Sequence, residues 1–227
     1  MALILSIDTS SKNCSVSLAK DGLLIDTIEE MEDSFSHGQK LHVFCEKLLT
    51  KSNVKFSEID AYSLSIGPGS YTGLRIGSAA IKGFSFTSNK PVITIPTLNS
   101  MAHYQKSNWS HFLCPVLDSR QGEIYAAVFD QNLNCLEPSH PHVLSSSSFS
   151  NFLNNQKVLF FGTGISKVKD FISHKNAHFL DNFFPSSKYL IDISESMYHK
   201  KDFADLASFE PLYLKDFVVT KSKRNIK

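Results

Sequence analysis

The chain opens on an apolar run, Leu3 to Ile7 with Ser6 its one polar residue, that stops at Asp8-Thr9-Ser10-Ser11. Asn13 to Leu18 alternates apolar and polar, Asp21-Gly22 supplies turn chemistry, and Leu23 to Ile28 follows. Period-two alternation around an Asp-Gly pair predicts antiparallel strands, so three strands fill the first 30 residues. Beyond Ser36, a predicted cap, the period lengthens. Leu41, Phe44, Cys45, Leu48 and Leu49 fall at helical spacing. Ala61 to Ile66 alternates again and runs into Gly67-Pro68-Gly69-Ser70-Tyr71-Thr72-Gly73-Leu74-Arg75-Ile76-Gly77, then into a helical segment to about Phe86. Pro91 to Ile95 predicts a short strand, and Thr97 opens a further helix.

The second half starts over in the same manner. Phe112 to Leu117 is an apolar run ending in Asp118, Ile124 to Phe129 is a strand, and Asn132-Leu133-Asn134 turns into a third. A helix is predicted from Ser145–Ser148 to about Asn154. Val158 to Phe161 is a strand stopped by Gly162-Thr163-Gly164, with a helix to about Ile172. Ser186 to about Tyr198 and Phe203 to Ala207 also read as helical. The repeated β-β-β-α-β-α-β-α order predicts an α/β fold of two lobes, with mixed sheets flanked by helices. It is the ribonuclease-H-like lobe that actin-like ATPases and sugar kinases use in duplicate. The expected division is 1–105 for an N-terminal lobe carrying partner-binding helices, 106–214 for a C-terminal lobe, and 215–227 for a basic, flexible tail.

Composition narrows the class. The 227 residues are 42% hydrophobic and 20% charged, as in a globular protein. No apolar run approaches the roughly 18 residues needed to span a bilayer. The start of the chain lacks the charged region of a signal peptide, so a cytoplasmic location is expected. A net charge of +1 gives no global case for nucleic-acid binding. The basic excess sits in the tail, at Lys215, Lys221, Lys223, Arg224 and Lys227. Cys14, Cys45, Cys114 and Cys135 are scattered and read as reduced core residues.

The glycine-rich stretch admits two readings. A strand, a glycine turn and a helix N-terminus together suit a phosphate, with Pro68 fixing φ and Gly69 supplying a positive φ. Against that, the stretch has neither a Walker lysine nor a G-x-G-x-x-G pattern. On the other reading, Gly67, Gly69, Gly73 and Gly77 are structural and let the helix pack closely on its neighbours. Ser70 or Thr72 can cap that helix. Its apolar residues, Leu74, Ile76, Ala79, Ala80, Ile81, Phe84 and Phe86, surround it rather than stripe it. This is the pattern of a buried helix or of one offering a second face to a partner.

Asp8, Thr9 and Ser10 combine a carboxylate with hydroxyls, a set suited to Mg²⁺ and phosphate oxygens, or simply to satisfying a turn. Their counterpart, Asp118-Ser119-Arg120-Gln121-Gly122, lacks the glycine-rich backbone that a working phosphate loop needs. A vestigial nucleotide loop is therefore the expectation, with no catalytic residue and no metal. His174 and His178 have i, i+4 spacing but no glutamate between them. His37 and His42 cannot share an ion on one helix. His103 and His111 stand eight residues apart, too far to do so.

Three segments carry a family resemblance: Ile4 to Ser10, Gly67 to Gly77, and Pro115-Val116-Leu117-Asp118-Ser119-Arg120. Gly162-Thr163-Gly164 and Glu210-Pro211-Leu212-Tyr213-Leu214-Lys215 follow in the expected order. Together they resemble the TsaB (YeaZ) family, the small subunits of the bacterial tRNA threonylcarbamoyladenosine machinery. Two positions depart from the pattern: Ser119 stands where alanine is usual, and Lys215 where arginine is.

The resemblance implies a degenerate actin-like ATPase fold that pairs with a larger catalytic relative, TsaD. TsaD carries the metal and transfers the threonylcarbamoyl group to adenosine 37 of tRNAs reading codons that start with A. It also implies a small ATPase partner, TsaE, a homodimer when the chain is alone, and tRNA contacted through the complex. No cofactor of its own is implied, although a nucleotide can lie at the interface with TsaD. The expected partner surface comprises Leu41, Phe44, Leu48, Leu74, Ile76, Ala79, Ala80 and Gly83. An ATP-dependent kinase and a metalloprotease are the competing classes, the latter disfavoured by the absent metal pair.

Overall fold

The computed structural model describes residues 2–31, 37–119 and 122–215. The expected cap at Ser36, the pair Arg120-Gln121 and the basic tail beyond Lys215 lie outside the described residues.

The first half builds strands β1 (Leu3–Asp8), β2 (Asn13–Lys20) and β3 (Leu23–Met31), and helix α1 (His37–Lys51). These are followed by β4 (Ala61–Ser65), α2 (Tyr71–Ser88), β5 (Val92–Ile95) and α3 (Thr97–Gln105). The second half builds β6 (Phe112–Asp118), β7 (Glu123–Phe129), β8 (Cys135–Val143), α4 (Ser150–Leu153), β9 (Val158–Phe161), α5 (Ile165–Phe171), β10 (Ala177–Leu180) and α6 (Ile191–Lys200). The two sheets have the same plan, β3-β2-β1-β4-β5 and β8-β7-β6-β9-β10. In each, the central strand pairs antiparallel with its hairpin partner and parallel with the strand reached through a crossover. This is the two-lobed arrangement of mixed, helix-flanked sheets that the pattern predicts.

The apolar runs have a simple cause. Both faces of β1 are covered, so every residue of it is buried. Leu3, Leu5 and Ile7 face α1 and α2, while Ala2 and Ile4 face Leu190 and the α6 residues Ile193 and Met197. Likewise β6 places Cys114 and Val116 against α4 and α5, and Leu113 and Leu117 against α3. The lobes thus trade helices. Leu98, Met101 and Ala102 of α3 pack on the second sheet, and Leu190 with α6 covers the first. A buried seam of hydroxyls joins them, with Ser15 Oγ 2.7 Å from Ser187 Oγ and Ser17 Oγ 2.6 Å from the same atom.

Three local expectations are corrected, for the serine run, residues 203–207 and Cys135. The serine run forms only a short helix, Ser150–Leu153, because Phe149 takes a left-handed backbone (φ 60°) through which an α-helix cannot run. Residues 203–207 are not helical. Ala204 bridges the edge strand β5 through its N–H to the Val92 carbonyl at 2.8 Å. His178 lies on strand β10, paired with β9, so no helix aligns it with His174. Cys14, Cys45 and Cys114 are buried as expected, but Cys135 is exposed. Among the described residues, no helix is long and apolar enough to cross a membrane.

Candidate functional site

The loop leaving β1 is closed over by the glycine face of α2. Ser70 caps the helix, its Oγ accepting from the Gly73 N–H at 3.2 Å, while its own N–H donates to the Ser10 carbonyl at 2.6 Å. A Cβ at Gly69 would stand 2.3 Å from the Ser10 carbonyl oxygen. One at Gly73 would stand 2.0 Å from that of Thr9, and one at Gly77 would stand 2.5 Å from Thr9 Oγ1. Thr9 Oγ1 donates back to the Gly73 carbonyl at 2.8 Å. From the other side, His37 at the start of α1 donates through Nε2 to the Ser11 carbonyl at 2.8 Å. The left-handed conformation expected of Gly69 belongs instead to Gly67 (φ 115°), whose α-carbon abuts the Leu212 carbonyl and Leu74.

This geometry bears on the phosphate reading of the loop. Asp8 and Thr9 are 0% exposed and Ser10 3%. At the N-terminus of α2 the N–H groups of Ser70, Gly73 and Leu74 are directed at protein oxygens. The Asp8 carboxylate accepts from the Ser10 N–H at 2.9 Å and Oγ at 2.7 Å. Burial pushes its pKa above the ordinary carboxylate value, and those Ser10 bonds offset this only in part. Asp8, Thr9 and Ser10, the residues expected to form a vestigial nucleotide loop, are thus buried. In this conformation they form a sealed packing joint and offer a nucleotide almost no surface.

A pH signature follows from the raised Asp8 pKa. The folded state holds this proton more tightly than the unfolded chain. Asp8 therefore favours folding most at acidic pH, and that contribution declines as pH rises from the unfolded value through the folded one. Asp8→Asn keeps the acceptor for Ser10 and cannot ionise. Relative to wild type, its urea midpoint is expected to match near pH 4, rise with pH, and reach a plateau. A constant difference across pH would contradict the ionisation argument.

The equivalent joint in the second lobe is built alike. Gly162 takes φ 120°, and a Cβ there would lie 2.2 Å from the Val116 carbonyl oxygen. Thr163 Oγ1 accepts from the Asp118 N–H at 2.9 Å. Asp118 is itself exposed and ion-paired with Lys167 at 2.5 Å. Lys167 also donates to the carbonyls of Ser119 and Glu123, tying the loop to α5.

The expected partner surface divides under burial. Leu41, Phe44, Leu48 and Leu74 lie within the chain's own core, and Ala80 is 8% exposed. Their apolar spacing reports the packing of α1 and α2 on the first sheet, so as surface residues these five are corrected. Ile76 is half-buried beside Gly38, while Ala79 and Gly83 face outward. A Cβ at Gly83 would meet nothing within 4 Å. Arg75, Ala79, Gly83 and Phe86 form an outward stripe on α2, with Phe86 81% exposed. Across from it α1 exposes His42 and Val43, and His42 packs on Phe84 with ring centroids 5.6 Å apart. A helix pair with small residues between large exposed ones suits close approach of another helix.

Elsewhere, a cleft of about 320 Å³ between the lobes is lined mainly by apolar groups, among them Pro96, Phe129, Leu133 and Met197. Its one titratable lining residue is His103, whose pKa burial pushes down. One cluster that spacing did not reveal lies on β8, where Glu137, His140 and His142 bring ligating atoms within 4.8 Å of one another. The sequence signal is His-x-His at strand period, but Glu137 is out of phase until a β-bulge is known.

Residues 32–217 match a family model described as TsaD, tRNA N6-adenosine threonylcarbamoyltransferase. The tRNA threonylcarbamoyladenosine biosynthesis protein TsaB of Haemophilus influenzae is 27% identical, the alignment covering 96% of this chain and 95% of that protein. The protein of the same description from Buchnera aphidicola subsp. Baizongia pistaciae is 30% identical over 94% of this chain and 98% of its own length. A solved structure from Pseudomonas aeruginosa, described as similar to peptidase YeaZ, superposes with a TM-score of 0.82. It has 21% identity and covers 95% of this chain and all of that one.

Proposed function

The chain belongs to the TsaB (YeaZ) family, and from that membership we propose that it serves tRNA threonylcarbamoyladenosine formation as a non-catalytic subunit. In this reading it pairs with and activates TsaD, which transfers the threonylcarbamoyl group to N6 of adenosine 37 in tRNAs reading codons that start with A. The small ATPase TsaE joins the assembly, tRNA is contacted through the complex, and the chain alone forms a homodimer. The setting is the cytoplasm. A nucleotide, where one is held, lies at the interface with TsaD rather than in a cleft of this chain.

The observation that carries the non-catalytic reading is the burial of Asp8, Thr9 and Ser10, with Gly69, Gly73 and Gly77 packed directly on Thr9 and Ser10. A nucleotide-handling member of this fold needs the loop after its first strand open to metal and phosphate. Here backbone oxygens of Thr9 and Ser10 meet the helix directly. The outward stripe of α2 supports the partner reading, since Ala79 and Gly83 permit helix contact and Phe86 supplies an apolar anchor.

Depleting the protein from its host and measuring tRNA nucleosides by mass spectrometry tests the role. Loss of threonylcarbamoyladenosine, restored on re-expression, is the expected outcome. Unchanged levels after full depletion would rule the role out.

A further inference from the structure

The trio on β8 stands apart from everything used above. Along the β7–β8 pairing, Ala126 faces His140 and Val128 faces Glu137. Two residues on β7 are thus matched by three on β8, the mark of a bulge with one extra residue. The insertion turns Glu137 onto the face that His140 and His142 already share through their spacing of two. That face is half-buried, with side-chain exposures of 31% for Glu137 and 33% for His140. Phe149 stacks on His142 with centroids 4.6 Å apart.

The hydrogen-bond accounting leaves a gap at the centre. His140 Nδ1 lies 2.9 Å from the Pro138 carbonyl, which only accepts, so Nδ1 carries the hydrogen. In the neutral ring Nε2 is then a lone pair. Yet Nε2 faces a Glu137 carboxylate oxygen at 3.0 Å and His142 Nδ1 at 3.2 Å. His142 in turn engages Ser148 Oγ at 2.9 Å through its Nε2, leaving Nδ1 turned inward. Glu137 and His140 therefore set two lone pairs against each other, and a cation must sit between them: a proton on His140 or a metal ion, to which His142 Nδ1 adds a third lone pair when Ser148 Oγ accepts from its Nε2.

The two printed edges have the length of ordinary hydrogen bonds and also suit a metal. A tetrahedral zinc with bonds near 2.05 Å has ligand atoms about 3.3 Å apart, so the 3.0 and 3.2 Å edges are close to its requirement. Each imidazole also has its outer nitrogen fixed, one by a backbone carbonyl and one by a hydroxyl, the support that metal-bound histidines use. We infer that Glu137, His140 and His142 bind a zinc-class divalent transition ion, with a fourth coordination position left to water. Pro138 and Ser148 act as positioning residues. The site clips the bulged edge strand to the 145–149 loop, away from α1 and α2.

The test uses the untagged full chain, stripped with a chelator and titrated with Zn²⁺ by calorimetry. One ion per chain is expected, with a rise in thermal midpoint. Bound Co²⁺ is expected to give the intense visible spectrum of a four-coordinate ion. The double variant His140→Asn/His142→Gln is expected to lose this stoichiometric binding, and Ser148→Ala to weaken it by about 10-fold. Glu137→Gln removes the charge while keeping size, which guards against a fold defect; roughly 10-fold weaker binding is expected. Absence of one-to-one binding by the wild-type chain would overturn the assignment. So would undiminished binding by the folded double variant, or by Glu137→Gln.

Discussion

Gly73→Ala is expected to destabilise the protein by about 3 kcal/mol, although alanine is the better helix former. The added methyl would sit 2.0 Å from the Thr9 carbonyl oxygen, 3.2 Å from the His37 ring and 3.3 Å from the Ser70 Cβ. The first of these is backbone in a loop buried on all sides, so it cannot swing away. The joint must open instead, exposing Asp8 and breaking the Thr9–Gly73 bond. The control lies on the same helix. At Gly83 a methyl meets nothing within 4 Å, so Gly83→Ala is expected to stabilise by roughly 1 kcal/mol through helix propensity alone. Urea unfolding of the two variants measures the difference. Equal shifts would mean that the glycine face does not hold the β1 loop.

Ala79→Glu is expected to leave the fold intact and abolish pairing with TsaD. The position is exposed midway along α2, so the isolated chain loses only the few tenths of a kcal/mol that separate alanine from glutamate in a helix. In a helix–helix contact, by contrast, the carboxylate would be stripped of water without a built partner. A penalty of about 3 kcal/mol corresponds to roughly a 100-fold loss of affinity. Co-purification and sedimentation of the mixed proteins report it. Leu41, Leu48 and Leu74 do not serve for such a test, because they lie in the chain's own core and their truncation would act through stability.

The two lobes were legible because their central strands are covered on both faces. Leu3–Ile7 and Phe112–Leu117 therefore read as apolar runs, each closed by an aspartate. The exchange of helices between lobes was not legible. Nothing in the spacing of Leu98, Met101 and Ala102 says which sheet receives them; that is decided only once Leu113 and Leu117 stand opposite.

The glycine stretch was half legible. Its composition announced a close approach, but the choice between a phosphate and a protein backbone depended on where Thr9 and Ser10 point. The same limit misled the interface reading. Helical spacing of Leu41, Phe44 and Leu48 marks an apolar face without saying what covers it, and here the first sheet does. Of the outward stripe, Ala79, Gly83 and Phe86 were legible in the apolar residues that surround α2, whereas nothing in the spacing placed Arg75 with them. The β8 cluster was hidden by a bulge, which shifts phase by one residue and leaves no local signal between Glu137 and His140.

The central claim is that this chain supports threonylcarbamoyladenosine formation by docking, not by its own β1 loop. The measurement that bears on it most directly is the tRNA nucleoside content of depleted cells complemented with wild type, Asp8→Asn or Ala79→Glu, at matched protein levels. Wild type and Asp8→Asn are predicted to restore the modified nucleoside, and Ala79→Glu to leave it absent. Restoration by Ala79→Glu together with failure of a folded Asp8→Asn would contradict the account.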